Sequence, residues 1–332
     1  MPNQTEHGKA FEFACLKGLE NIIATSGQSV KCHVEINETY KIANRFFDTL
    51  PSQKHKDVLL AASRKMATKL ADLEPRLIYP VKSLRDIIDL EIQPDGKGIH
   101  GDVRDVLALR ILLKSESAGW EIGISCKHNH RAVKHQRISP RIDIGKQWLN
   151  FPSDSDYFNE INPVFTLIDS LRKSGTQKWL EVKNKDTSIY KPLLESIRNQ
   201  IERFNKSKGQ VICGNFLAYL IGKNDFYKVV LEGKKSVSIQ GFNFNNTLNQ
   251  PADNHQPKHR VSVLKLPTRI YKIEFKDNSN NTINVIMDEG WSISMRIHNA
   301  STKIENSLKL DVQLIGVPQT QYRETLPLEE KL

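Results

Sequence analysis

The sequence predicts a mixed α/β fold, with a central mixed β-sheet flanked by helices and a β-rich C-terminal region. Residues 8–25 and 54–73 carry apolar side chains at helical spacing, which indicates two amphipathic helices. Residues 87–127 hold three apolar or alternating segments joined by short turns, a pattern typical of consecutive strands. Short alternating segments recur from about residue 225 to 316. We therefore divide the chain into a core region with helical insertions, residues 1–222, and a β-rich region, residues 223–332.

The individual elements follow from local signals. The first helix places Phe11, Cys15 and Leu19 on one side, and the second ends before Pro75. The three strands are predicted at 87–92, 106–113 and 120–127, with turn signals at 95–98 and 115–119. Asp95, in the first of these turns, is interpreted as a turn residue. A polar helix is predicted from about 128 to 137, mostly helical structure at 145–204, and a buried helix or strand at 209–222.

Composition favours an anionic partner inside the cell. The 332 residues include 48 Lys and Arg against 38 Asp and Glu, which gives a formal net charge of +10. Cations near phosphates release condensed counterions, so this balance suits nucleic acid. No apolar run is long enough to span a membrane, and the N-terminus lacks the layout of a secretory signal. The four cysteines form no CxxC pair, which argues against structural zinc and favours reduced thiols in the cytoplasm.

One strand combines the side chains that phosphodiester chemistry requires. Alternation places Glu121, Gly123, Ser125 and Lys127 on one face of the third strand, opposite an apolar face. Asp105 directly precedes the second strand, so pairing of the two strands would bring Asp105 and Lys127 to one end of the sheet. Carboxylates there could hold one or two Mg²⁺ ions, and a lysine could steady the attacking hydroxide. The alternative is an ion pair at a strand end without catalytic duty.

The stretches GDVRDVLAL and WEIGISCKHNHRAVKHQRIS resemble the HaeIII-type restriction endonucleases, a branch of the PD-(D/E)xK nucleases. The likeness is strongest over residues 100–150 and extends more loosely to GKAFEFACLKGL and WSISMRIHNASTKIENSLKLDV. It implies a restriction-endonuclease-like nuclease core at 1–222 and a DNA-recognition role for the β-rich region at 223–332. It also implies Mg²⁺-dependent cleavage of double-stranded DNA at a GGCC-like palindrome, with Asp105 binding metal and Lys127 as the catalytic lysine.

The sequence departs from the general family pattern at two positions. Arg104 stands where proline is usual, and Ser125 replaces the acidic residue, which gives SxK. Ser125 would then order water, and another residue must supply the carboxylate. Glu12 on the first helix is favoured by likeness to the Mrr-type branch of the superfamily. Glu121 is the second candidate, although it stands four residues before Ser125 and therefore about 13 Å from it along the strand. Asp102 is the third candidate.

A cationic segment follows the proposed site. The triplet His128-Asn129-His130 spells the name of another nuclease class, but no cysteine pairs support that fold. Phosphate contact is the better interpretation, and a solvated charge run is its alternative. The segment comprises His128, Asn129, His130, Arg131, Lys134, His135 and Arg137. Arg296, with His298, lies on a plausible recognition strand at 291–299, and the Asn-rich loop at 243–259 is either disordered or base-reading.

These observations predict a type II restriction endonuclease of a bacterial restriction-modification system. The expected partners are double-stranded DNA and a second copy of the chain, because a two-fold symmetric dimer reads a palindrome economically. A cognate DNA methyltransferase would act on the same site and need not bind the enzyme. We expect the protein in the bacterial cytoplasm and do not expect it to bind a membrane. Another PD-(D/E)xK nuclease, for repair or methyl-directed cleavage, and a non-catalytic DNA-binding protein are the alternatives.

Overall fold

A computed structural model describes residues 4–94, 96, 102–128, 134–176 and 178–328 of the chain. The α-helices are α1 (Gln4–Thr25), α2 (Glu38–Asp48), α3 (Gln53–Leu73), α4 (Ser155–Lys173), α5 (Lys191–Lys208) and α6 (Gln210–Ile221). The strands are β1 (Lys31–Val34), β2 (Ile87–Ile92), β3 (Val106–Ile111), β4 (Ala118–His128), β5 (Lys134–Ile138), β6 (Phe226–Glu232), β7 (Ser236–Phe242), β8 (Ile270–Phe275), β9 (Thr282–Met287), β10 (Ser292–Asn299), β11 (Leu308–Gly316) and β12 (Arg323–Pro327).

The chain forms two compact units, each assembled from several segments. The first unit comprises Met1–His130, Asn224–Leu264 and Thr320–Leu332. The second comprises Arg131–Lys223 and Lys265–Gln319. This division differs from the predicted boundary at residue 222, because strands from before and after that residue pair with each other within each unit.

The first unit is built on a mixed, seven-stranded sheet in the order β1-β2-β3-β4-β6-β7-β12. Strands β1 and β2 are parallel, as are β4 and β6, and the remaining neighbours are antiparallel. The predicted mixed central sheet flanked by helices is therefore confirmed. The predicted strand triplet is confirmed as well, as β2, β3 and β4.

The core of the first unit lies between α1, α3 and one face of this sheet. The apolar face of β4, with Ile122, Ile124 and Cys126, joins a buried cluster that includes Phe11 and Cys15 of α1. Each fully buried aliphatic or aromatic side chain contributes roughly 1.5–3 kcal/mol, so this layer fixes α1 against the sheet. The predicted helices at 8–25 and 54–73 are confirmed as α1 and α3. The short strand β1 and helix α2 were not predicted.

The second unit combines helices α4, α5 and α6 with an antiparallel sheet in the order β5-β11-β10-β9-β8. Its largest buried side chains are Trp148, Trp179 and Trp291. The helix predicted from about residue 128 to 137 is wrong at residues 134–137, which belong to β5 and pair with β11. Residues 210–221 form a helix, which decides between the two predicted alternatives.

The strands after residue 225 do not form one region. Strands β6, β7 and β12 extend the mixed sheet of the first unit, whereas β8 to β11 belong to the second unit. Alternating sequence identifies a strand but not its neighbours, so the prediction could not make this division. None of the helices in the described parts of the chain has the length and apolar character needed to cross a membrane.

The Asn-rich loop is held in place by its own amides and is not a disordered segment. The Asp225 carboxylate accepts hydrogen bonds from backbone N–H groups at the start of the loop. Asn249 donates through Nδ2 to the carbonyl of Leu73 at 2.8 Å and accepts through Oδ1 from the N–H of Val261 at 3.0 Å. Its φ of 62° is one that asparagine tolerates better than most residues. These amides therefore have structural partners within the first unit.

Candidate active site

The hairpin of β3 and β4 brings Asp105 and Lys127 together. Val106 pairs with Ile124, so Asp105 lies beside the end of β4. Lys127 Nζ is 3.1 Å from Asp105 Oδ2. The same oxygen accepts the backbone N–H of Cys126 at 2.7 Å and the hydroxyl of Ser125 at 3.4 Å. Three consecutive residues of one strand thus orient a single carboxylate oxygen.

Lys127 keeps its positive charge in this setting. Burial opposes the charged form, but the attraction and hydrogen bond of Asp105, with smaller effects from Cys126 and Glu12, outweigh it and raise the pKa of Lys127. The side chain remains 24% exposed. A charged ammonium group that is held by a carboxylate and still reaches the surface can meet an anionic substrate.

Helix α1 supplies a second carboxylate to this site. Glu12 is only 6% exposed. Burial first, and the negative charge of Asp105 second, raise the pKa of Glu12 to about 8, although the charges of Lys9 and Lys127 act in the opposite direction. Lys9, one turn earlier on the helix, donates to Glu12 Oε2 at 2.9 Å. Glu12 and Asp105 therefore repel each other in a poorly hydrated place.

The oxygen atoms of Glu12 and Asp105 suit a hard divalent cation. Carboxylate oxygens are the ligands that such ions prefer, and Mg²⁺ is often held by one or two carboxylates with waters and substrate phosphate completing its shell. A cation between the two groups would relieve their repulsion and favour ionised Glu12. Among the described residues, no cluster of three or more His, Cys, Asp and Glu side chains could hold a metal by itself.

The other two candidate carboxylates lie together in a separate ion cluster. Arg104 donates through Nε and Nη2 to both oxygens of Asp102, each at 2.8 Å, and through Nη1 to Glu121 at 2.6 Å. Gly123 leaves the room for this side chain, since an added Cβ would lie 2.9 Å from Arg104 Cβ and overlap the atoms beyond it. The structure thus groups Glu12 with Asp105 and Lys127, and Glu121 with Asp102 and Arg104.

The predicted DNA-contacting residues are distributed over both units. His128 ends β4 in the first unit and is half-buried. Arg137 on β5 donates to Ser307 at 2.9 Å and stays exposed, and Arg296 on β10 pairs with Asp311 at 2.9 Å while remaining 56% exposed. Asn129, His130 and Arg131 lie outside the described residues, as do the side chains of Lys134 and His135.

Sequence patterns alone missed two cationic side chains that pair with the candidate carboxylates. Lys9 is one, and its signal was the i, i+3 spacing to Glu12 on a helix, which places both side chains on one face. Arg104 is the other, and its position between two acidic residues and opposite a glycine could have indicated the ion cluster. Both contacts depend on burial, which local sequence does not report.

Comparison with known proteins places the chain beside one group of enzymes. The family model described as HaeIII restriction endonuclease matches residues 8–318. The "Type II restriction enzyme HaeIII" of Haemophilus aegyptius is 39% identical over 326 residues, which cover 98% of this chain and 98% of that protein. No solved structure matches the chain.

Proposed function

The chain belongs to the HaeIII restriction endonuclease family and is a type II site-specific deoxyribonuclease, and from this premise we propose that it cleaves double-stranded DNA with Mg²⁺ at a GGCC-like palindrome. The observation that carries the catalytic part is the contact between Lys127 and Asp105, at 3.1 Å, beside the buried Glu12. We propose that these residues form the site of a PD-(D/E)xK nuclease core in which Ser125 occupies the acidic position.

In this proposal Asp105 and Glu12 would hold Mg²⁺. Bound there, the ion supplies Lewis-acid polarisation of a phosphoryl oxygen and lowers the pKa of a nearby water. The support for Glu12 is its position, buried and electrostatically coupled to Asp105. Glu121 is a weaker candidate because Arg104 already neutralises it at 2.6 Å.

The residues of the chain have distinct roles in the proposed reaction. Lys127 holds the attacking hydroxide and balances the negative charge that develops on the phosphoryl oxygens. A preorganised donor of this kind is worth about 10²- to 10³-fold in rate. Asp105 orients Lys127 through their ion pair, and the Ser125 hydroxyl and Cys126 N–H orient Asp105 in turn.

DNA recognition is proposed to involve residues beyond the catalytic hairpin. Arg137 and Arg296 keep exposed guanidinium groups on the second unit, and such groups can contact phosphates or guanine edges. Asn129, His130, Arg131, Lys134 and His135 remain candidates from the sequence. A palindromic site favours a homodimer with two-fold symmetry. A cognate methyltransferase would modify the same site without binding the enzyme.

Digestion of a sequenced plasmid with and without Mg²⁺ tests the proposal, with the fragment ends read. We expect defined fragments with GGCC at the cut sites. Lys127→Ala should lower the cleavage rate about 10²- to 10³-fold, since it removes charge from the transition state, and should preserve most DNA binding. Lys41→Ala, which removes an exposed lysine paired with Glu38 on α2, is the matched control.

Other outcomes would assign the chain differently. Cleavage that requires methylated DNA would indicate a methyl-directed nuclease. Binding without cleavage under any metal would indicate a non-catalytic DNA-binding protein. Wild-type cleavage by Lys127→Ala would refute the role of the lysine.

A further inference from the structure

The antiparallel sheet of the second unit has two different faces. Met295 and Ile297 of β10 are fully buried, and the strand register puts Gln136 of β5 on the same face as Ile297. The side-chain carbonyl of Gln136 accepts a hydrogen bond from the hydroxyl of Tyr219 on α6, so this helix lies on that face. Arg296 stands between the two buried residues of β10, and alternation therefore directs it to the opposite face. Its side chain is 56% exposed there.

Charged side chains occupy this opposite face, which we call the polar face. Arg137, Lys309 and Arg296 lie on the three neighbouring strands β5, β11 and β10. On the edge strand β8, Lys272 pairs with Glu274. The middle of the polar face thus carries three cations. The carboxylates described on or against the polar face are Glu274, Glu305 and Asp311.

A buried carboxylate fixes the direction of the Arg296 side chain. Asp311 stands opposite Arg296 in the register of β10 and β11, and its Oδ2 accepts a hydrogen bond from Arg296 Nη2 at 2.9 Å. The Nε2 atom of His298 lies 3.1 Å from the other oxygen of Asp311, so the carboxylate lies between two side chains of β10. A guanidinium group has five N–H donors. Pairing through Nη2 therefore leaves donors on the exposed part of Arg296 for a ligand.

The ion pair with Asp311 suits a neutral ligand with two acceptors better than an anion. The carboxylate already compensates the charge of Arg296 and would repel a nearby phosphate. It also orients the guanidinium fork, which lowers the ordering cost of binding. On the major-groove edge of guanine, N7 and O6 are the two acceptors that an arginine fork contacts together. Guanine is therefore the base that fits Arg296.

Arg137 and Lys309 differ from Arg296 in their surroundings. The carboxylate of Glu305 is 3.8 Å from Arg137 Nη1, and both side chains are exposed, so water screens this pair. Lys309 carries a point charge without the planar fork of arginine. Such cations suit charged phosphates. Arg137 lies two strands from β10, about 10 Å away, which is comparable with the major-groove width of about 12 Å.

We propose that Arg296, oriented by Asp311, binds N7 and O6 of a guanine in the major groove, and that Arg137 and Lys309 on the same face contact DNA phosphates. The inference deepens the proposed function and rests on it, because it takes duplex DNA with a guanine-containing site as the substrate. Arg296 contacts the base and determines specificity. Asp311 is a positioning residue that acts through Arg296.

Guanine analogues in the substrate test this contact. The full-length protein cleaves short duplexes that carry GGCC in the presence of Mg²⁺, and kcat/KM is measured with each guanine replaced in turn. In 7-deazaguanine a carbon atom replaces N7, which removes one acceptor from the major groove. In hypoxanthine the amino group of the minor groove is missing, while N7 and O6 remain. At the guanine that Arg296 contacts, 7-deazaguanine should lower kcat/KM about tenfold, and hypoxanthine should lower it less.

Arg296→Lys separates base reading from phosphate contact. Lysine keeps the charge but lacks the fork, so this variant should lose roughly 10- to 100-fold in kcat/KM and no longer distinguish 7-deazaguanine from guanine. Arg137→Lys should keep the full sensitivity to 7-deazaguanine. Arg85→Lys is the matched control, because Arg85 pairs with Glu116 at 2.7 Å at the turn of the β3–β4 hairpin, the opposite end from Lys127. It should cleave as the wild type does.

Asp311→Asn tests the positioning role. Asparagine keeps the shape of the side chain and removes its charge, so Arg296 loses its orientation and gains attraction for phosphates. The variant should cleave GGCC several-fold more slowly and bind a duplex without the site more tightly. A purely structural role of Asp311 would not tighten non-specific binding.

The outcomes separate this inference from the proposed function. If the wild type cleaves equally well with 7-deazaguanine at either position, no guanine N7 is contacted, and the inference fails while the nuclease assignment stands. Wild-type rate and discrimination in Arg296→Lys would also refute it. If Arg296→Lys does not fold, Asp311→Asn decides, and unchanged cleavage and non-specific binding refute the inference. Absence of any cleavage by the wild-type protein would overturn both.

Discussion

Replacing Glu12 by glutamine should stabilise the metal-free protein while it abolishes Mg²⁺-dependent cleavage. The carboxylate is buried next to Asp105, and burial with that repulsion raises its pKa from 4.5 to about 8. A buried carboxylate that binds a cation lowers the stability of the metal-free protein, since the positive charge of the cation no longer offsets its desolvation and its repulsion by the neighbouring carboxylate. Glutamine keeps the shape and an oxygen that accepts from Lys9, but it carries no charge.

The magnitude follows from the pKa of the group. The pKa of Glu12 is about 8 in the folded protein and 4.5 in the unfolded chain. The protonated carboxyl group therefore costs no stability below pH 4.5, and the free energy of unfolding falls as the pH rises from 4.5 toward 8. With 1.36 kcal/mol for each pH unit in that window, the ionisable side chain costs on the order of 1 kcal/mol at pH 5 and 3 kcal/mol at pH 7. The stability advantage of Glu12→Gln should therefore grow by about 2 kcal/mol between these pH values.

Urea unfolding of both proteins in EDTA between pH 5 and 8 measures this difference. Glu38→Gln is the control, because its carboxylate is 81% exposed on α2 and is hydrated in both states. That variant should follow the wild-type curve. Parallel curves for Glu12→Gln and the wild type would show that Glu12 is not the buried, repelled carboxylate inferred here. A separate digest should show lost cleavage, and full activity of Glu12→Gln would exclude it as a metal ligand.

Two further predictions concern the framework around the site. Gly123→Ala should displace Arg104, whose Cβ would lie 2.9 Å from the added methyl group. The substitution should cost roughly 1–3 kcal/mol, measured as a lower urea midpoint of unfolding. The control is Gly8→Ala on α1, where the added methyl group meets no atom within 4 Å, and this variant should be neutral or stabilising. Glu74→Gln should stabilise the protein by about 3 kcal/mol at pH 8 but only on the order of 1 kcal/mol at pH 5, because burial raises the pKa of Glu74 to about 7. An unchanged pH profile in urea unfolding would contradict this.

Local sequence was sufficient to predict the hairpin that carries the candidate catalytic pair. Asp105 and Lys127 belong to neighbouring strands joined by a short turn, so alternation and turn length place them at one end of the sheet. The first helix was predictable for the same reason, since its apolar spacing reports the face that packs on the sheet. The family likeness also depended on these contiguous stretches.

The tertiary structure decided which distant residues join them. Glu12, Glu121 and Asp102 were all candidates from the sequence, and only packing of α1 against the sheet puts Glu12 beside Asp105 while Arg104 neutralises the other two. The strand at Lys134–Ile138 exists because β11 pairs with it, against a local pattern that favoured a helix.

The strands after residue 225 show the same limit on a larger scale. Their period of two predicts strands, but β6 joins β4 in one sheet while β10 joins β11 in another. Hydrogen-bonding groups on a strand are alike along its length, so local sequence does not name the partner. Sequence by itself predicted most of the elements and the proximity of Asp105 and Lys127, whereas long-range packing placed Glu12 beside them and decided the neighbours of each strand.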